Sequence, residues 1–289
     1  MIFEVIKIGT PIVYYNLNSN KMKKVFILLF SVSLLAACSR NAITGRKQLG
    51  LFSEASLQQM AVTEYRSFLS QNQVVSENTS KDAEMVRRVG SRIATAITQY
   101  YRGKGLAAEL DGYKWEFNLV NDKAVNAWCM PGGKVVVYTG LLPYTQNEAG
   151  LAIVLGHEIT HAVAHHGNER MSQGAIAQGL EIVGNIATSG NSKYNNLFNN
   201  IFAPAAQVGV LLPNSRNQEL EADRLGLNFA AMAGYNPREA IPFWQRMAAA
   251  GGNAKPPEFL STHPADDRRI ANLEKNMPEA LSYYKPISK

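Results

Sequence analysis

Four of the chain's five histidines fall within ten residues, at His157, His161, His165 and His166, and the fifth is His263. The first two frame the string His157-Glu158-Ile159-Thr160-His161, an H-E-x-x-H pattern. On a helix, four residues advance about 400°, so the two imidazoles share a face one turn apart. That spacing suits joint coordination of one Zn²⁺ at roughly 2.0–2.1 Å. Glu158 lies about 100° round from His157, where its carboxylate can reach a water on the metal without itself ligating. The apolar run ahead of the pattern, Leu151, Ile153, Val154 and Leu155, predicts a helix buried on most sides, and charged residues rarely enter such a helix without a partner.

A catalytic zinc takes three protein donors and keeps one position open. Three spacings compete for the third donor. A histidine ten residues after His157 is excluded, because Gly167 stands there and Ala164 occupies the place where that arrangement needs glycine. Glu181, twenty residues after His161, is one alternative, but the position four further on, where a carboxylate would orient a ligand histidine, is Asn185. The other is the segment Ser215 to Asp223. There Glu219 and Asp223 sit one turn apart on one helix face, so the first can ligate while the second accepts from the outer nitrogen of a ligand histidine. Glu219 is favoured over Glu181. Glu221 points about 200° away from Glu219 and is a poor ligand. His165 lies about 12 Å along the helix from His157, too far for the same ion. His165 and His166 are therefore expected at the surface of the helix end, where a protonated imidazole suits the dipole.

The elements that must position these residues follow from periodicity. A helix is predicted from Ser53 to about Ser70, then a polar loop over 71–79, then an amphipathic helix from Lys81 to about Tyr101 carrying Met85, Val89, Ile93 and Ile97. Trp115, Phe117 and Leu119 alternate with polar residues as in a half-buried strand. Asn126–Met130 and Lys134–Thr139 read as two strands about the turn Pro131-Gly132-Gly133, and Lys134–Tyr138 is a candidate open edge for an extended substrate. The motif helix spans Gln146–His166, and a Gly/Ala-rich helix follows from Glu169 to about Ala187. Residues 188–200 are Asn- and Ser-rich and are expected to be mobile, and a lid over the cleft made of this stretch with the helix 169–187 is one reading. Pro204 interrupts an apolar stretch, Phe202–Leu212. Further helices are predicted over 215–233, 237–250 and 267–276. Many helices and few strands indicate an α+β class, mainly helical, with a small β-sheet beside the motif helix.

Composition narrows the class. Of 289 residues, 46% are apolar, which excludes intrinsic disorder, and two cysteines exclude a disulfide scaffold. Lys21, Lys23 and Lys24 precede thirteen largely apolar residues, Val25–Ala37, a stretch too short to span a bilayer but matching a secretory signal. Leu35-Ala36-Ala37-Cys38 resembles the lipobox of bacterial lipoproteins, which makes Cys38 the expected lipid-bearing N-terminus. The expected organisation is a signal region over 1–37 with its true start at Met22, a lipidated N-terminus and tether over 38–52, and a single domain over 53–289. Removal of 1–37 takes four Lys and one Glu and lowers the net charge from +6 to +3, so no nucleic-acid partner is expected. Cys129 would then have no intrachain disulfide partner.

His157-Glu158-x-x-His161 with Ser215-Arg216-x-x-Glu219-x-x-Ala222-Asp223 resembles the zinc metallopeptidases that include HtpX, BepA and the CAAX prenyl endopeptidases. Asn126-Ala127, Pro131-Gly132-Gly133, Gly140-Leu141-Leu142, Thr262-His263-Pro264 and Arg269-Ile270 extend the likeness over about residues 80–275. The chain departs from HtpX and the prenyl endopeptidases in lacking transmembrane helices, and from BepA in lacking a following helical-repeat domain. It most resembles small periplasmic lipoprotein members. The resemblance implies a zincin-like fold, one Zn²⁺ on His157, His161 and Glu219, a zinc-bound water as nucleophile, and Glu158 as general base. It implies a cell-envelope endopeptidase, lipid-anchored at the outer membrane and facing the periplasm, that acts on unfolded or mis-assembled envelope proteins. His263 is a candidate oxyanion stabiliser, or a fourth ligand that occludes a resting enzyme. The alternative is a lipoprotein chaperone or assembly factor with a blocked or non-catalytic zinc site.

Overall fold

A computed structural model describes residues 38–178, 192–202, 215–251, 257, 259–260, 263 and 267–287. The expected signal region, the alternative ligand Glu181, most of the stretch 202–212, and Thr262 and Pro264 lie outside the described residues. The helices are α1 (Glu54–Gln71), α2 (Lys81–Gly103), α3 (Glu148–Val163), α4 (His166–Ala177), α5 (Ser192–Phe202), α6 (Ser215–Met232), α7 (Ala240–Gly251) and α8 (Asp267–Tyr283). The strands are β1 (Cys38–Arg40), β2 (Lys47–Leu49), β3 (Val74–Val75), β4 (Glu116–Val120), β5 (Ala127–Met130) and β6 (Lys134–Tyr138). The chain is thus a mainly helical α+β protein. Residues Ser39–Lys289 make one compact unit, and Cys38 opens β1.

The principal sheet has the order β3-β4-β6-β5, with β4 parallel to β6 and both outer pairs antiparallel. Its two faces bury different residues. Leu119, Ala127, Val135 and Val137 pack with α2, α3, α6 and α7. Val120, Trp128, Met130, Val136 and Tyr138 pack with α1, α4 and α5. All five residues of β6 are buried, which is why Val135–Tyr138 reads as a continuous apolar run rather than an alternation. Val74–Val75 extends the sheet where a polar loop was expected.

Two segments differ from the sequence expectation for identifiable reasons. Residues 192–202 form a helix where a mobile stretch was expected, because Tyr194, Leu197, Phe198 and Phe202 recur at helical spacing and bury one face among the asparagines. The stretch 41–49, within the expected tether, supplies the turn and second strand of a small β1–β2 hairpin and is fixed to the α3–α4 junction. Asn41 Nδ2 and Gln48 Nε2 donate to the carbonyl of Ala164 at 3.0 and 2.9 Å, and both side chains are buried.

Candidate metal centre

The centre is built where α3 crosses α6. Asn147 caps α3, its side chain accepting from the Gly150 N–H at 2.8 Å, and every residue from Gly150 to Val163 is buried. Gly156 and Gly226 let the two helices meet backbone to backbone, which carries Glu219 and Asp223 of α6 to the histidine face of α3. Asp223 Oδ1 stands 2.9 Å from His157 Nδ1, so Nε2 of that ring turns inward. Arg269 of α8 lies over the Trp244 ring at 3.5 Å and donates to the same Asp223 oxygen at 2.6 Å.

Four donor groups converge. His157 Nε2 lies 3.1 Å from His161 Nε2 and 3.3 Å from Glu219 Oε2, and His161 Nε2 lies 3.2 Å from Glu219 Oε1. His263 Nδ1 completes the group, 3.0 Å from His157 Nε2 and 2.8 Å from Glu219 Oε2. A tetrahedral ion with bonds of roughly 2.0–2.1 Å separates its ligands by about 3.3–3.4 Å. The observed separations sit at or a little under that edge, and the four ligand atoms lie within 4.8 Å of one another. Three imidazole nitrogens and a carboxylate therefore fit one divalent cation. His263 is brought in by its own segment: its N–H donates to the Phe259 carbonyl, its ring packs against the Phe259 ring at 4.5 Å, and Phe259 N–H donates to Val125.

Glu158 is buried beside this group and does not join it. Its Oε1 lies 3.4 Å from His263 Nε2 and makes no hydrogen bond among the described residues. Burial raises its pKa above the ordinary carboxylate value, against the pull of His263 and His157. Burial also opposes ionisation of Glu219, but the three imidazoles outweigh it and hold that carboxyl well below its usual range. The two glutamates are thus driven apart, one towards the protonated form and one firmly ionised.

The structure corrects three expectations around the site. His166 is fully buried, with Nδ1 2.9 Å from His161 Nδ1, whereas a surface position was expected. The cause is a helix break: α3 ends at Val163, His165 adopts a left-handed φ of 57°, and α4 starts in a new direction that swings His166 under His161. His165 is also mostly buried, between Glu54 and Glu109. Lys134–Tyr138 is no open edge, since β6 is paired on both sides; the outer strands are β3 and, next to β6, β5. Glu221 points away from the donors, as its helical angle requires, and instead meets Arg46 and His166. Spacing within one helix carried no signal for Trp244 or Arg46, which reach the site from other parts of the chain.

A mainly helical α+β domain whose H-E-x-x-H helix meets a carboxylate from a second helix is the arrangement of the metallopeptidase class. Residues 80–277 match Peptidase family M48, and the chain belongs to that family. It is similar to the mitochondrial metalloendopeptidase OMA1 of Saccharomyces cerevisiae, 38% identical over 182 residues, which is 61% of this chain and 50% of that protein. The mitochondrial metalloendopeptidase OMA1 of Bos taurus is 30% identical over 282 residues, 92% of this chain and 52% of that protein. The beta-barrel assembly-enhancing protease of Escherichia coli is 28% identical over 184 residues, 61% of this chain and 38% of that protein. The chain spans about half, or less, of the length of these relatives.

These relatives correct the expected placement at the bacterial outer membrane. Proteins named as mitochondrial match this chain over up to 93% of its length, so the likeness does not fit an outer-membrane lipoprotein. Among the described residues, no helix is long and apolar enough to cross a membrane.

Proposed function

We propose that this chain is a zinc-dependent endopeptidase that cuts unfolded or mis-assembled proteins, with His157, His161 and Glu219 as metal ligands and Glu158 as general base. The observation that carries this reading is the convergence of those three donors at tetrahedral spacing with a buried, under-bonded carboxylate beside them. Three imidazoles and a carboxylate suit zinc among the divalent ions. When bound, Zn²⁺ supplies Lewis acidity that polarises a carbonyl and brings the acidity of water towards neutral pH.

The chain's own groups do the rest. Glu158 takes a proton from the attacking water and delivers it to the leaving amine, and burial, by raising its pKa above the ordinary carboxylate value, makes it a stronger base for the first half of that task. Asp223 accepts from His157 Nδ1 and fixes the tautomer that leaves Nε2 free to ligate. His263, as fourth donor, fills the position that substrate needs, so the resting chain is latent until His263 withdraws. The outer strand β5 offers an extended polypeptide a backbone partner, a mode that reads main chain and favours unfolded segments. The name of the bacterial relative, beta-barrel assembly-enhancing protease, supports mis-assembled proteins as the substrate class.

A second reading rests on the same four donors. A closed donor set is the mark of a structural zinc site, as a chaperone or assembly factor would hold. Metal content and casein cleavage, measured together on wild type, Glu158→Gln, Glu219→Ala and His263→Ala, separate the two. The endopeptidase reading requires that Glu158→Gln keep metal and lose cleavage, and that Glu219→Ala lose both. Cleavage unchanged in Glu158→Gln overturns it.

A further inference from the structure

His166, Glu221 and Arg46 form a continuous hydrogen-bonded chain that starts at a proposed metal ligand and ends on the N-terminal hairpin. His161 Nε2 faces the donor cluster, so its proton belongs on Nδ1, which lies 2.9 Å from His166 Nδ1. His166 must therefore accept on Nδ1 and donate from Nε2, and Nε2 lies 3.0 Å from Glu221 Oε2. The other oxygen of Glu221 accepts from Arg46 Nε at 2.8 Å. Arg46 Nη1 and Nη2 also donate to Glu169, whose two oxygens accept at 2.7 and 2.6 Å. Gln218 Nε2 donates to Glu169 as well, at 2.8 Å. Every link has a donor and an acceptor, and reversing any one of them leaves two like groups facing.

From this geometry we infer that His166, Glu221 and Arg46 are positioning residues: they lock His161 in the Nδ1–H tautomer and make tight metal binding depend on the docked hairpin 41–49. The inference rests on the reading of His161 as a metal ligand. It is distinct from the role of Asp223, which orients the other histidine. A ligand histidine commonly hands its outer N–H to a carboxylate or a carbonyl, and loss of such a partner costs 10- to 100-fold in metal affinity. Here a second imidazole is interposed, and the carboxylate it reaches is held by an arginine from a segment more than a hundred residues away in sequence. The hairpin is fastened at the same place by Asn41 and Gln48 on the Ala164 carbonyl, so the helix break that aims His166 and the arginine that anchors its relay share one support.

The test uses full-length wild type, His166→Phe, Glu221→Gln and Arg46→Gln. Zn²⁺ affinity is read by competition with a chromophoric chelator, and the ligand field by the visible absorption of the Co²⁺-substituted protein. We expect each variant to bind Zn²⁺ about 10- to 100-fold more weakly and to show a shifted Co²⁺ spectrum, with Arg46→Gln the mildest. A residue that serves folding alone would lower the melting temperature of the metal-free chain and leave the Co²⁺ spectrum unmoved; that result overturns the inference. So do affinities within threefold of wild type. Should His166→Phe fail to fold, Arg46→Gln decides alone, because Arg46 lies at the partly exposed end of the relay. Wild type that binds no Zn²⁺ overturns both this inference and the metal-site reading, whereas wild type and variants binding alike overturn this one only.

Discussion

Gly156 of α3 and Gly226 of α6 touch backbone to backbone: a Cβ on Gly156 would stand 2.5 Å from the Gly226 carbonyl oxygen, and one on Gly226 would stand 2.7 Å from the His157 nitrogen. Residues on either side pair in opposite order, His157 with Asp223 and His161 with Glu219, so the two helices run antiparallel through this contact. The separation of the helix axes here sets whether Glu219 reaches the imidazoles at all.

Gly226→Ala gives the first prediction. Alanine in a helix interior is worth about 1 kcal/mol over glycine. Overpacking against a backbone that cannot move aside costs about 1–3 kcal/mol. We expect net destabilisation and weaker Zn²⁺ binding, measured by urea unfolding and chelator competition. A more stable variant with unchanged affinity would show that the close approach is incidental.

Glu158→Gln should keep the metal, since Glu158 is no ligand, and lower cleavage of unfolded casein by at least about 10²- to 10⁴-fold, the range for loss of a general acid–base group. Metal analysis on the same samples separates lost chemistry from lost zinc.

His263→Ala separates latency from transition-state support. If His263 blocks the fourth position, casein cleavage should rise about tenfold or more, since a site open for a tenth of the time is then open throughout. A fall in rate with zinc retained would instead mark His263 as an oxyanion stabiliser.

His165 makes a pH-dependent contribution to stability. Burial disfavours its charged form, but Glu109 and Glu54 outweigh burial and raise its pKa to about 9. The folded value exceeds the unfolded one, so the stabilisation is complete below about pH 6.5 and is lost as pH rises through about 9. The carboxylates are partly exposed, which reduces the effect to about 1–3 kcal/mol. His165→Gln should therefore be less stable than wild type at pH 6 in urea unfolding, and the gap should narrow at pH 10. A gap that is the same at both values contradicts the ion pair.

The main elements could be read from the chain because their signals are local. The alternation at Trp115, Phe117 and Leu119 marks β4, and the spacing at Val89, Ile93 and Ile97 marks α2. The ligand pair His157 and His161 was legible for the same reason: one helical turn relates them, and no other element is needed. Glu219 with Asp223 was legible as a pair from its own helical spacing, and its match to the histidine helix came from the motif resemblance rather than from any contact the spacing could show. The helix over 192–202 was missed because asparagine-rich composition masks four apolar residues at helical spacing.

What the sequence determined by itself is the chemistry available on each element: two imidazoles and a base on one helix face, a carboxylate pair on another, a lone histidine near the end. Which of these meet is a matter of docking. A pair of glycines too ordinary to notice sets the distance between α3 and α6, one left-handed residue turns His166 inward, and an arginine from a hairpin over a hundred residues away braces the result. Those contacts depend on three-dimensional packing between segments remote in the chain, and periodicity within any one segment carries no record of them.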